Sequence, residues 1–295
     1  MNFLIIKRHW ADLSLLAITL VWGATFVIVK RATEDLPVFI FLEIRFGLAF
    51  LTLLPFVWTQ RAHLTRPSLY KGLGIGSILF LGYASQTIGL QYTSASNAGF
   101  ITGLSVVLVP LLVLITTRKL PRPFLIVGIM SAMFGLALLS LGENLSLNSG
   151  DLIVLMCAVF FALQIFLVGQ YAPSENPTIF AAGQILAVAV LSGISSFFFP
   201  HDSLNFTSNA WIGILLTAIP ATSIAAVVQM KMQQFTTPTH TALIFSTEPV
   251  FSAIFAFLLA GEILTPRGLA GAALVLLGTL FAEFSGTGGS EEGSR

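Results

Sequence analysis

The sequence predicts an all-α polytopic membrane protein: ten transmembrane helices arranged as two inverted five-helix repeats around a central cavity. Three observations predict it. Of 295 residues, 56% are hydrophobic and only 9% charged, with a mean hydropathy of +0.91; a soluble domain carries roughly 25% charged residues to coat its surface. The apolar residues fall into ten stretches of about 20, the length that carries a helix across a hydrocarbon core roughly 30 Å thick. The second half of the chain also repeats polar, glycine and proline positions of the first.

Charged, proline and asparagine clusters separate the stretches, which lie at 12–30, 37–58, 69–90, 96–116, 123–141, 150–170, 177–199, 209–229, 239–259 and 266–284. These are continuous runs, not the alternating ten-residue segments of a β-barrel. Lys7 and Arg8 precede the first run as in a signal peptide, but no cleavage site with a polar mature domain follows. The run is therefore expected to remain as the first helix. The tail at 285–295, "SGTGGSEEGSR", is expected to be disordered.

Lysine and arginine placement predicts orientation. With the N-terminus inside, one side collects Lys7, Arg8, Arg61, Arg66, Lys71, Arg118, Lys119, Arg122, Lys231 and Arg295, against Lys30, Arg31 and Arg267 on the other. The expectation is a multi-pass protein of the bacterial inner (plasma) membrane with both termini cytoplasmic. A net charge of +1 leaves no case for a nucleic-acid partner. The single cysteine, Cys157, excludes an intrachain disulfide framework and a cysteine metal cluster.

The repeat is read by sliding the chain on itself. A shift of 143 sets Gln91-Tyr92-Thr93 on Gln234-Phe235-Thr236, Pro123 on Pro266, Gly128 on Gly271 and Gly135 on Gly278. A shift of 139 sets Asp12-Leu13 on Asp151-Leu152, Trp22 on Phe161 and Arg45 on Gln184. The expected units are 1–147 and 148–284, followed by the tail. Because each half has five spans, the two halves must be oppositely oriented, a recurring plan of secondary transporters.

Trp22-Gly23-Ala24-Thr25-Phe26 in the first span, Arg45 in the second and "STEPVFSAIFAFLLAGEILTPRGLAGAALVLLG" over 246–278 resemble the EamA branch of the drug/metabolite transporter superfamily. The most specific part is Glu248-Pro249 followed by Gly261-Glu262. The resemblance covers essentially the whole chain. It implies eight helices around a central cavity with the fifth and tenth spans as outer braces. It also implies cofactor-free transport of small metabolites, often as export, with no named ligand.

Polar groups inside a bilayer are costly and mark function by default. Glu248 lies nine residues past the start of its span, roughly 14 Å of helix rise and near the midplane. It is a candidate proton carrier, or a structural carboxylate paired with Arg45 or capping exposed backbone. Pro249 removes a backbone donor and is expected to kink the helix, serving as a kink alone or as a hinge. In the first half Ser105-Val106 stand at these positions, and Pro110 is the expected break. Arg45 either binds substrate or holds the fold against an acid. Glu43, two positions away, cannot share its helix face.

Gln86, Gln164 and Gln184 are expected around the cavity, as substrate contacts or interhelical glue. Trp22, Phe26 and Tyr83 are expected to wall it. Asn97 and His240 coincide under the 143 shift and suit a gate or a helix cap. Gly128/Gly135 and Gly271/Gly278, seven apart, lie on one face of the fifth and tenth spans and predict a tight packing seam against the partner half or another copy.

The function expected is secondary transport, as an exporter, of a small organic metabolite, amino acid or drug by alternating access. A lipid bilayer and a small-molecule substrate are the partners, the protein being a monomer or homodimer. The alternative is a lipid-carrier flippase or the membrane subunit of a complex. No G-x-x-x-x-G-K-[ST] loop serves ATP, and no H-E-x-x-H serves a metalloprotease. Neither an enzyme nor a metal or other cofactor is expected.

Overall fold

A computed structural model describes residues 2–93, 95–140, 148–199, 204–260 and 265–287. Gly261-Glu262 and the tail beyond 287 lie outside the described residues. All regular structure among the described residues is helical. The helices are α1 (Asn2–Asp35), α2 (Val38–Thr59), α3 (Arg66–Leu90), α4 (Ala95–Gly103), α5 (Ser105–Thr117), α6 (Pro123–Ser140), α7 (Ser149–Tyr171), α8 (Pro177–Phe198), α9 (Ser208–Ala218), α10 (Ala225–Gln233), α11 (Pro238–Phe245), α12 (Glu248–Ala260) and α13 (Pro266–Thr287). A π-helical segment, Ile219–Ile224, joins α9 to α10.

Local chemistry sets the helix starts. Thr65, Asn176, Thr207 and Thr237 each turn a side-chain oxygen onto a first-turn N–H, and prolines open α3, α8 and α11 within that turn. Proline costs nothing there, because the first N–H groups lack helical partners. Asn148 and Asp151 form a reciprocal capping box: Asp151 N–H donates to Asn148 Oδ1 (2.9 Å) and Asn148 N–H to Asp151 Oδ2 (3.0 Å).

Eight helical segments are long and apolar enough to cross a membrane: Lys7–Asp35, Val38–Thr59, Arg66–Leu90, Ala98–Thr117, Ser149–Ser174, Pro177–Phe198, Ser208–Gln233 and Pro238–Leu259. The stretches expected as the fifth and tenth spans form shorter apolar helices, Pro123–Leu138 and Pro266–Phe281. The chain is a polytopic membrane protein.

The eight long segments close a ring. In order, α8 packs on α2, α2 on the α9–α10 segment, that segment on α1, α1 on α12, α11–α12 on α4–α5, α4–α5 on α7, α7 on α3, and α3 back on α8. α6 and α13 pack chiefly on each other outside it. A Cβ on Gly135 would lie 2.5 Å from Gly271 O, and one on Gly278 would lie 2.5 Å from Gly128 O. Backbones come this close only where no Cβ intervenes. Ser131 Oγ donates to Leu274 O across the same seam at 2.8 Å.

Two long segments are interrupted. α4 gives way to α5 at Leu104, and α11 to α12 at Ser246-Thr247. The second break falls just before Pro249, where a proline kink is expected. The first corrects the reading of Pro110, which lies inside α5 without ending it.

Polar contacts tie the bundle ends. At the end where α1 begins, His240 Nε2 lies 3.1 Å from Asp12 Oδ1, and Lys71 Nζ lies 2.7 Å from Glu175 Oε1. Burial pushes the Glu175 carboxyl up, but the hydrogen bond from Lys71 and its charge hold it below the usual carboxylate range. At the opposite end Lys30 Nζ donates to Thr93 O (3.1 Å), and Thr93 Oγ1 to Asp151 Oδ1 (2.5 Å).

Candidate functional site

The ring encloses a cavity with about 870 Å³ of empty space, its opening included. Trp22, Phe46, Tyr83, Phe161 and Phe245 supply aromatic wall. Tyr83 stands edge-on between Phe46 and Phe161, with centroids 4.9 and 5.2 Å away, and Trp22 meets Phe245 edge-on at 5.0 Å. The charged side chains lining the cavity are Arg45 and Glu248.

Arg45 comes from α2 and is 3% exposed. Its Nε donates to Thr222 Oγ1 at 3.0 Å. Its Cζ lies 4.9 Å from the Tyr83 ring centroid and 5.1 Å from that of Phe46. Glu248 opens α12. Among the described residues no ion pair joins it to Arg45 and no hydrogen bond reaches its carboxylate, so the expected Arg45–Glu248 pairing is not made. Two elements hold the charges apart: Thr222 and the aromatic rings engage the guanidinium on one side of the ring, while α12 presents the carboxylate on another.

The π-helical segment organises this wall. Its geometry lets Thr222 Oγ1 donate to Thr217 O (2.8 Å) and Ser223 Oγ to Ala218 O (3.1 Å), both five residues back. Trp22 Nε1 donates to Ala221 O at 2.8 Å. Pro220 lies within the segment and lacks an N–H, consistent with local departure from α-helical bonding.

Glutamines line the region between α7, α8 and α10. Gln164 Nε2 donates to Gln184 Oε1 (3.1 Å), and Gln229 Nε2 donates to Gln164 Oε1 and Gln233 Oε1 (both 3.2 Å). Gln86 Nε2 donates to Thr102 Oγ1 at 3.3 Å.

Of the residues singled out in the sequence, Trp22, Arg45, Tyr83, Gln86, Gln164, Gln184 and Glu248 line this cavity together. Phe26 does not: it is 3% exposed and packs in the core with Phe41, Phe46 and Ile214. Thr25 lines the wall in its place, because the cavity-facing stripe of α1 runs from Trp22 to the side of the helix away from Phe26. His240 is also absent from the lining; three residues into α11 it sits at the bundle end, against Asp12. Asn97 lies on α4, and its side chain is outside the described residues. Pro249 packs outside the lining, 3.7 Å from a Cβ placed on Gly99 and 3.3 Å from one on Gly103.

Thr25, Thr102, Ser105, Thr222 and Gln229 also line the cavity and went unselected. The repeat carried a signal for most of them. Under the 139 shift Trp22/Phe161, Thr25/Gln164 and Arg45/Gln184 all line as pairs. Under the 143 shift so do Leu79/Thr222, Tyr83/Ala226, Gln86/Gln229, Thr102/Phe245 and Ser105/Glu248.

An all-helical membrane bundle around a mixed polar and aromatic cavity is an architecture that fits a membrane transporter. The chain belongs to the EamA-like transporter family, whose model matches residues 9–141 and again 148–284. An uncharacterized transporter of Archaeoglobus fulgidus is 36% identical over 277 residues, covering 93% of this chain and 86% of its own. The uncharacterized transporter YoaV of Bacillus subtilis is 21% identical, covering 92% and 96%. A solved crystal structure superposes with a TM-score of 0.78 at 17% identity, covering 94% of this chain and 98% of its own, a likeness of fold.

Proposed function

We propose that this chain is a secondary transporter, acting as an exporter, that moves a small organic solute across a bacterial inner membrane by alternating access. Ten spans form two inverted halves, with both termini on the cytoplasmic side. The observation that carries the reading is the pairing of the cavity lining. Residues 139 or 143 apart line it together, and the α6–α13 seam is reciprocal in the same way, Gly135 on Gly271 and Gly278 on Gly128. A cavity built from two related halves has two related ways to open, which alternating access requires.

The chemistry of the halves is unequal. Arg45 has Gln184 as its counterpart, and Glu248 has Ser105. Glu248 is the proton carrier: it lines the cavity near mid-chain of its span without an ion-pair or hydrogen-bond partner among the described residues, where an acidic residue costs about 2.5–3.5 kcal/mol. Asp12–His240 lies at one end of the bundle and Thr93–Asp151 with Lys30 at the other, where the two gates of such a path would act.

Purified protein in proteoliposomes tests the reading. Counterflow of labelled metabolites and amphipathic drugs, driven by an imposed pH gradient, is expected. Lipid scrambling without solute flux would replace this reading with the lipid-carrier flippase.

A further inference from the structure

Arg45 is a buried cation that faces a cavity and has no acidic partner among the described residues. Its surroundings favour one way to bind an anion, because Thr222 and Tyr83 already engage part of the guanidinium. Thr222 Oγ1 accepts from Nε, and the Thr222 proton is already given to Thr217 O across the π-helical step. The hydroxyl therefore turns a lone pair, not a proton, toward the guanidinium. Side-on docking of a carboxylate uses Nε together with one Nη, and Thr222 occupies Nε. End-on docking through the Nη edge is what remains. The Tyr83 and Phe46 rings flank the guanidinium and limit its reorientation.

The other half has no such arrangement. The repeat sets Gln184 in place of Arg45 and Leu79 in place of Thr222, so both members of the pair are replaced together by residues that cannot make it. Glu248 in the same cavity disfavours a dianion such as phosphate and leaves a monoanion as the better match.

We propose that Arg45 is the seat for the carboxylate of the transported solute, docked end-on, and that Thr222 is the positioning residue that sets this geometry. The solute is thus an organic monocarboxylate whose apolar body lies on the Tyr83, Phe161 and Trp22 wall. The assignment rests on the transporter reading and names its substrate class.

The test compares carboxylates with their own amides. Purified full-length protein is heated with millimolar 3-phenylpropanoate, indole-3-acetate or 4-methylpentanoate, and with the matching carboxamides. At least one carboxylate is expected to raise Tm by a few degrees more than its amide. Arg45→Gln, Arg45→Lys and Thr222→Val should each weaken the preferred carboxylate about tenfold or more in Kd. Thr222→Ser, which keeps the lone pair, should restore it. Lysine lacks the forked edge, so a cation needed only for folding would be rescued by Arg45→Lys and the seat would not. Equal Tm shifts for acid and amide in the wild type, or an undiminished preference in both Arg45→Gln and Thr222→Val, would overturn the seat. Solute flux without a carboxylate preference removes the seat and leaves the transporter reading. Carboxylate binding without flux in proteoliposomes removes the transporter reading and leaves the seat.

Discussion

Leu104 and Thr247, 143 positions apart, interrupt their helices with the same hydrogen bonds. Leu104 N–H donates to Ile101 O (3.1 Å), and its carbonyl accepts from Val107 (3.0 Å) and Leu108 (3.3 Å). Thr247 N–H donates to Ile244 O (3.0 Å), and its carbonyl accepts from Val250 (3.0 Å) and Phe251 (3.2 Å). One break precedes Ser105-Val106, the other Glu248-Pro249. The joint is therefore a backbone feature of both segments, and the Glu-Pro pair is an addition to one of them.

Pro249→Ala is accordingly expected to keep the α11–α12 break. The first-half joint stands with valine at the matching position, and Thr247 already carries its own bonds. Stability should change by no more than about 1 kcal/mol, and flux in proteoliposomes should persist. Loss of transport with an unchanged Tm would show that the proline is a working hinge.

Glu248→Gln should separate stability from function. The amide removes from the membrane interior a carboxylate with no partner among the described residues, so the variant is expected to be as stable as the wild type or more so, by up to about 3 kcal/mol. Flux should lose its response to an imposed pH gradient. Thermal unfolding and gradient-driven flux, measured on the same preparation, check both halves of this expectation.

Glycine substitutions should sort by what a Cβ would meet. At Gly76 it would lie 2.5 Å from Gln184 O and 2.6 Å from Gln184 Cα, both backbone atoms of α8 that cannot step aside. Gly76→Ala should cost roughly 1–3 kcal/mol and disturb the Gln184–Gln164 contact. At Gly47 and Gly74 nothing lies within 4 Å. Alanine there should be neutral or stabilising by up to about 1 kcal/mol, the helix-propensity difference. Apparent Tm across the three variants checks the order.

The Asp12–His240 contact should behave as a coupled pair. Asp12 Oδ2 is already buried without a hydrogen-bond partner among the described residues. Removing His240 would leave the other oxygen without its imidazole partner as well, at a cost of roughly 1–3 kcal/mol. The variants are His240→Asn, which installs the residue found at Asn97, Asp12→Asn, and the two combined. The double variant should lose less than the sum of the singles, by about 0.5–3 kcal/mol. Additive losses would mean that the two residues act apart.

The sequence by itself determined that this chain is a membrane-spanning helical protein, because span length and scarcity of charge are composition facts that the bilayer enforces. It also determined which positions correspond between the halves. Gln86 and Gln229 share the cavity because one register relates them, and that register is written in glycines, prolines and glutamines. Tertiary structure alone decided which face of each helix turns inward. Phe26 and Ile165 correspond under the 139 shift, yet Ile165 lines the cavity while Phe26 packs in the core. Hydrophobic periodicity is nearly silent in helices apolar on all sides, so their rotation is set by neighbours such as the Gly76–Gln184 contact. The partner of Arg45 was likewise a tertiary matter: a π-helical turn brings Thr222, 177 residues away, onto its Nε. No local pattern in the chain specifies that meeting, since it depends on how α2 and the α9–α10 segment cross.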